Sequence, residues 1–316
     1  MLRLLSIFLL VFGSSVAAAQ PVSFRGVAVG SIAAGPELTV QLYKPEGAGP
    51  FPAIVLAHTC SGVNAHTATW GKLLSSWGYA VVAPDSFGPR GFSGGLCARG
   101  TQVSGSERVT DVAGALDWLN AQAFVQRNRI GLIGHSHGGW TAVRAVQKSY
   151  DLAARGLRAA VAYCPLCSAG NDRDVAIPLL IMIGDKDDWT PADSCRRLEK
   201  GGFTQPGLVE TVYYPNALHS FDSRGPDRTA FGHRLGYDAV AGPDKDHTCL
   251  RPDAPHFIGD GDRRIEMSAG PTGSDLFPHP GLMPFAKAHT LRLWYLCCNV
   301  KPQKDSPQKS VLPIGQ

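Results

Sequence analysis

From residue 22 onward the chain alternates short apolar runs with stretches in which apolar positions recur every three or four residues. Residues 22–29 and 38–43 read as an antiparallel pair of strands separated by turn material at residues 30–36. Ala53-Ile54-Val55-Leu56-Ala57 is apolar throughout, which suits a strand of a parallel sheet buried on both faces. Helical spacing is expected over residues 65–77, where Leu73, Leu74 and Trp77 share a face, and over 106–120 through Val109, Val112, Leu116 and Leu119. Residues 79–83, 129–133, 159–163, 179–183 and 208–214 supply further strands. Strands alternating with helices over this length predict an α/β fold: a mostly parallel central sheet with helices on both faces.

One junction in this pattern is unusual. Ile130-Gly131-Leu132-Ile133 runs into Gly134-His135-Ser136-His137-Gly138, and a helix-compatible segment, residues 141–150, follows. Gly-x-Ser-x-Gly between a strand and a helix makes a sharp turn with the serine at its tip, because a Cβ at either glycine would collide with neighbouring backbone. The strand–turn–helix context makes Ser136 the candidate nucleophile. In a parallel sheet, loops at the carboxyl ends of strands form the ligand crevice, so partners are sought just after each strand. Gly184-Asp185-Lys186-Asp187-Asp188 follows one strand and Leu218-His219-Ser220-Phe221 the next. The order serine, acid, histidine is that of α/β-hydrolase triads. A serine hydroxyl is a weak nucleophile until an imidazole takes its proton, and the imidazole needs a carboxylate to fix its tautomer. Asp187 is the choice for the acid and Asp188 the alternative. No glutamate closes a twelve-residue loop from Asp185, so a calcium loop is not expected. His137 and Cys60, the latter in His58-Thr59-Cys60-Ser61-Gly62, are placed to offer oxyanion N–H groups. His58 and His135 are assigned to supporting the strand ends.

Composition narrows the partners. Among 316 residues, 44% are hydrophobic and 18% charged, the net charge is +4, and no Lys/Arg run appears, so nucleic acid is not expected as a partner. Residues 1–19 have the features of a signal peptide: Arg3, a short apolar run, then Val16-Ala17-Ala18-Ala19 before Gln20. The run is too short for a membrane span, so a periplasmic or secreted protein with no stable span after cleavage is expected. The eight cysteines are then expected to form disulfides, Cys164-Pro165-Leu166-Cys167 included, rather than a zinc or redox site. Residues 20–300 are expected to form one domain with an irregular insert at 242–282, rich in Gly, Pro, Asp and His. His247, His256 and His279 in that insert lack metal-ligand spacing. A terminal helix over 284–296 and a polar, disordered tail over 301–316 complete the reading.

Taken together, residues 53–64, 79–91, 130–140, 184–191 and 219–221 resemble the dienelactone hydrolase family of α/β hydrolases. The resemblance implies a single hydrolase domain without metal or organic cofactor, a triad of Ser136, Asp187 and His219, and oxyanion donors at Cys60 and His137. Its substrate would be a small ester or lactone. Two positions depart from the pattern: Ser136 stands where the best-known members have cysteine, and Thr59 where they have glutamate. The family holds a substrate carboxylate with loop arginines, and Arg90 and Arg224 fall near those places. A serine esterase or lactonase acting through an acyl-enzyme is the expectation. A peptidase or acyltransferase on the same triad, and a non-catalytic binding protein of the same fold, are the alternatives.

Overall fold

The structure is a computed structural model that describes residues 20–99, 102–168, 172–239 and 241. The expected signal peptide, the 242–282 insert, the terminal helix and the polar tail lie outside these residues.

Strands β1 (Gln20–Arg25) and β2 (Glu37–Tyr43) form the expected antiparallel pair. They are followed by β3 (Phe51–Ala57), α1 (Ala65–Ser76), β4 (Ala80–Pro84), α2 (Val109–Asn120), β5 (Val125–His135) and α3 (His137–Ala145). Then come β6 (Leu157–Tyr163), β7 (Leu179–Gly184), α4 (Ala192–Gly201) and β8 (Val209–Tyr214), and a short hairpin of β9 (Arg228–Ala230) and β10 (His233–Leu235). The sheet runs β1-β2-β4-β3-β5-β6-β7-β8, antiparallel at its β1, β2 and β4 end and parallel from β4 through β8.

The uninterrupted apolar strand explains how the layers assemble. Side chains alternate across a strand, so Ala53, Val55 and Ala57 of β3 join one core while Ile54 and Leu56 join the other. The first core holds Val109, Val112 and Leu116 of α2, Ala142 and Val143 of α3, and Cys195 and Leu198 of α4. The second is closed by Trp70 and Leu74 of α1. Asn64 starts α1 with a reciprocal cap: its side chain accepts from the His66 and Thr67 N–H groups, and the Thr67 hydroxyl accepts from its own N–H. That cap ends the 58–63 loop abruptly and keeps it short.

Among the described residues the cysteines depart from the expectation at one position, and Cys249, Cys297 and Cys298 lie outside these residues. Cys60 pairs with Cys97 and Cys167 with Cys195, but Cys164 is a free, buried thiol. Cys164 points into the second core while Cys167 joins the first, where α4 presents Cys195. Sequence proximity in Cys-x-x-Cys therefore does not translate into a shared role.

Candidate active site

The elbow is built as the glycine pattern requires. Ser136 has φ 54° and ψ −110°, a conformation that costs a non-glycine residue roughly 1–3 kcal/mol and persists only where its surroundings enforce it. The Ser136 N–H donates to the Tyr163 carbonyl at 2.8 Å, and the Trp140 N–H donates to the Ser136 carbonyl at 2.9 Å. A Cβ on Gly134 would lie 2.0 Å from the Gly138 carbonyl oxygen, and one on Gly138 would lie 2.0 Å from that of Ala57. The turn thus lies hard against the end of β3, bringing the 58–62 loop beside the serine. α3 begins directly after Ser136, so its N-terminal N–H groups and dipole favour negative charge at the serine.

The structure brings the expected serine, acid and histidine into one hydrogen-bonded line. Ser136 Oγ lies 3.0 Å from His219 Nε2, and His219 Nδ1 lies 2.8 Å from Asp187 Oδ2. Asp187 is buried and fully engaged: Oδ1 accepts the Trp189 and Thr190 N–H groups at 2.9 and 2.8 Å, and the Thr190 hydroxyl lies 2.9 Å from Oδ2. These contacts fix the plane of the carboxylate, so Oδ2 faces the imidazole. Asp188 points the other way, is exposed, and accepts from the Arg234 N–H at 3.1 Å. Asp185 likewise turns outward to the Asn216 N–H at 2.7 Å. The β9–β10 hairpin completes this edge, bridging Leu235 to His219. Trp189 packs against the His219 ring with centroids 5.1 Å apart.

The loop expected to carry the second oxyanion N–H is held by a buried arginine that sequence reasoning missed. Arg108 Nη1 donates to the His58 carbonyl and to His137 Nδ1, both at 3.0 Å. One guanidinium thereby ties the Cys60 loop to the residue after the nucleophile. Burial lowers the Arg108 pKa to about 9, which leaves it charged at neutral pH. His58 reaches the Thr59 carbonyl through Nδ1 at 2.8 Å and accepts the Ser86 N–H at Nε2. Burial, with Arg108 beside it, drives its pKa well below the usual histidine value, so it stays neutral. The only sequence signal for Arg108 was its place in the first turn of the expected 106–120 helix, which is common to many solvated arginines.

The two candidate carboxylate-binding arginines are placed differently from the expectation. Arg90 clasps the Asp111 carboxylate through both terminal nitrogens, at 2.9 and 2.8 Å, and donates to the Ser86 carbonyl at 2.7 Å. Its fork is filled by a buried acid of α2, which removes it from the substrate role the sequence suggested. Arg224 is exposed at the rim of a cavity on the α1 side, whose lining includes no member of the serine–histidine–acid line.

Among curated proteins, the chain is 24% identical over 159 residues to the cutinase est1 of Thermobifida alba, covering 48% of each. It is 24% identical over 110 residues to a putative carboxymethylenebutenolidase of Synechocystis sp., covering 31% of this chain and 44% of that one. A probable 2-oxo-3-(5-oxofuran-2-ylidene)propanoate lactonase of Bradyrhizobium sp. is 22% identical over 191 residues, covering 57% of this chain and 77% of the other. The chain thus spans about half the length of the first two of these relatives. The fold matches that of a dienelactone hydrolase-like promiscuous phosphotriesterase from metagenomic libraries, with TM-score 0.55, 22% identity, and 71% and 93% of the two chains covered. It also matches a putative dienelactone hydrolase from Klebsiella pneumoniae, with TM-score 0.51, 20% identity, and 65% and 89% covered. The model of the dienelactone hydrolase family matches residues 38–248, and the chain belongs to that family of α/β hydrolases.

Proposed function

We propose that this protein is an exported serine hydrolase that cleaves small carboxylic esters or lactones through an acyl-enzyme. The observation that carries the reading is the unbroken line from Ser136 Oγ through His219 to the buried Asp187 carboxylate. In the forward step His219 Nε2 takes the Ser136 hydroxyl proton as Oγ attacks the ester carbonyl carbon. The developing oxyanion is received by the backbone N–H groups of His137 and Cys60. Collapse expels the alkoxide, which takes the proton back from His219 Nε2 and leaves as the alcohol. Water then enters, loses a proton to His219, and attacks the acyl-serine to release the acid and restore Ser136. Asp187 holds the Nδ1–H tautomer throughout and stabilises the imidazolium.

The names of two relatives, a cutinase and a lactonase, point to the same bond class. A non-catalytic binding protein would have no need to hold three polar groups in this order inside a buried site. Export is supported by residues 1–19 and by the two disulfides, which suit an oxidising compartment. Among the described residues no helix is long and apolar enough to cross a membrane. The decisive experiment is hydrolysis of p-nitrophenyl acetate and butyrate by Ser136→Ala. Activity should fall to the background with the melting temperature unchanged; retained turnover removes Ser136 from the mechanism.

A further inference from the structure

Beside the elbow, a second group of polar side chains converges. His66 in the first turn of α1, His135 at the end of β5 and Asp222 in the loop after His219 bring two imidazole nitrogens and a carboxylate oxygen within 4.8 Å of one another. His66 Nε2 lies 2.8 Å from Asp222 Oδ2, and His135 Nε2 lies 3.4 Å from the same oxygen. His135 and Asp222 are buried and His66 is half-buried. Trp70 Nε1 also donates to Asp222 Oδ2, at 3.1 Å.

Hydrogen bonding alone accounts poorly for this arrangement. Asp222 Oδ2 already receives His66 and Trp70, and the buried His135 Nε2 has no hydrogen-bond partner. If that nitrogen carries a proton, 3.4 Å is too long for a good N–H···O⁻ bond, which closes to about 2.7–2.9 Å. If it is bare, its lone pair faces a buried carboxylate. A cation between them resolves both cases.

We propose that His66, His135 and Asp222 bind a divalent transition metal of the zinc type. Imidazole with carboxylate suits such ions, whereas calcium and magnesium take oxygen ligands. Ligand atoms about 2.0–2.2 Å from zinc in a tetrahedron stand roughly 3.3 Å apart. The His135–Asp222 separation of 3.4 Å fits, and that of His66, 2.8 Å, opens by a few tenths of an ångström on binding. Trp70 orients the carboxylate from outside the ion. A cavity of about 610 Å³, lined by His66, Trp70 and Asp222, gives the ion an entry path and room for water ligands. The three ligands come from separate segments, 156 residues apart between His66 and Asp222, so no short motif reveals them. Bound there, the ion fastens α1 to the residue before Ser136 and to the loop that carries His219.

The test uses the full chain, stripped with a chelator and titrated with Zn²⁺ by calorimetry, with melting curves recorded with and without Zn²⁺. One ion should bind per chain and raise the melting temperature by several degrees. His66→Ala and Asp222→Asn should each weaken binding by about 100-fold or more, exceeding the loss of an outer partner, and should cancel the thermal shift. Cys164, Asp187 and His219 also lie close together, so Cys164→Ser is measured in parallel and should bind as the parent does. No binding by the parent overturns the proposal. So does parent-like binding by a folded His66→Ala, or loss of binding in Cys164→Ser with His66→Ala unaffected. Should Asp222→Asn or His66→Ala not fold, His66→Gln decides by the same criteria.

Discussion

Replacing Asp187 by asparagine tests the acid assignment sharply, because the structure dictates how the amide would sit. Asp187 Oδ1 accepts two backbone N–H groups, from Trp189 and Thr190, so the amide oxygen of the variant takes that position. Its NH₂ then faces His219 Nδ1 where the carboxylate oxygen stood at 2.8 Å. A donor at that place obliges Nδ1 to accept, and the ring proton moves to Nε2, 3.0 Å from Ser136 Oγ. An imidazole protonated there cannot take the hydroxyl proton. The loss expected for a wrong tautomer with intact geometry is on the order of 10⁴ in kcat, or about 5.5 kcal/mol at 1.36 kcal/mol per tenfold. Asp188→Asn keeps an acceptor for the Arg234 N–H and should cost less than about threefold, since an exposed loop contact is worth little. Initial rates on p-nitrophenyl butyrate, with KM determined for each variant and melting curves as a folding control, separate the two. Asp187→Asn activity within tenfold of the parent, or a larger loss in Asp188→Asn, would refute the tautomer argument and the acid assignment together.

Three further perturbations follow from the geometry. Arg108→Met leaves the His58 carbonyl and His137 Nδ1 without their shared donor, and kcat should fall by about 10–100-fold while KM changes little; a raised KM with kcat unchanged would mark a binding role instead. Gly138→Ala drives a Cβ into the Ala57 carbonyl, a backbone atom that cannot swing aside. It should destabilise by roughly 1–3 kcal/mol and cut kcat, and a parent-like melting temperature with full activity would contradict the close approach. Burial lifts the Glu210 carboxyl on β8 to about 7, against about 4.3 in an unfolded chain. The folded protein therefore keeps that proton longer than the unfolded one, and its stability falls as pH rises between those values. Glu210→Gln should melt like the parent near about pH 4 and above it beyond about pH 7; the same difference at both pH values would show that the carboxyl does not titrate in that window.

Much of the architecture was legible in the chain because burial on two faces leaves an unambiguous mark. A strand such as Ala53-Ile54-Val55-Leu56-Ala57 must serve two cores at once, so every position is apolar. The elbow was readable for a related reason: Gly134 and Gly138 leave room for a tight turn around a residue at φ 54°, and an apolar strand before it and a helix after it give that common motif its context. Helix α4 was missed because only Ala192, Cys195 and Leu198 are buried among ten mostly polar residues, too sparse a stripe to register. The three-residue strands β9 and β10 are too short to show any period.

The sequence by itself determined the strand-and-helix alternation, the serine at a strained turn, and an acid and a histidine following it in hydrolase order. All of these are local or periodic, set by sterics within a few residues. Only the tertiary structure decided which of two adjacent aspartates faces His219, because neighbours in a turn point in opposite directions and packing selects between them. It alone paired Arg90 with Asp111, separated Cys164 from the disulfide of Cys167, and gathered His66, His135 and Asp222. Each depends on where distant segments meet, and the cost of burying a charge or a polar atom unpaired sets which partners are brought together.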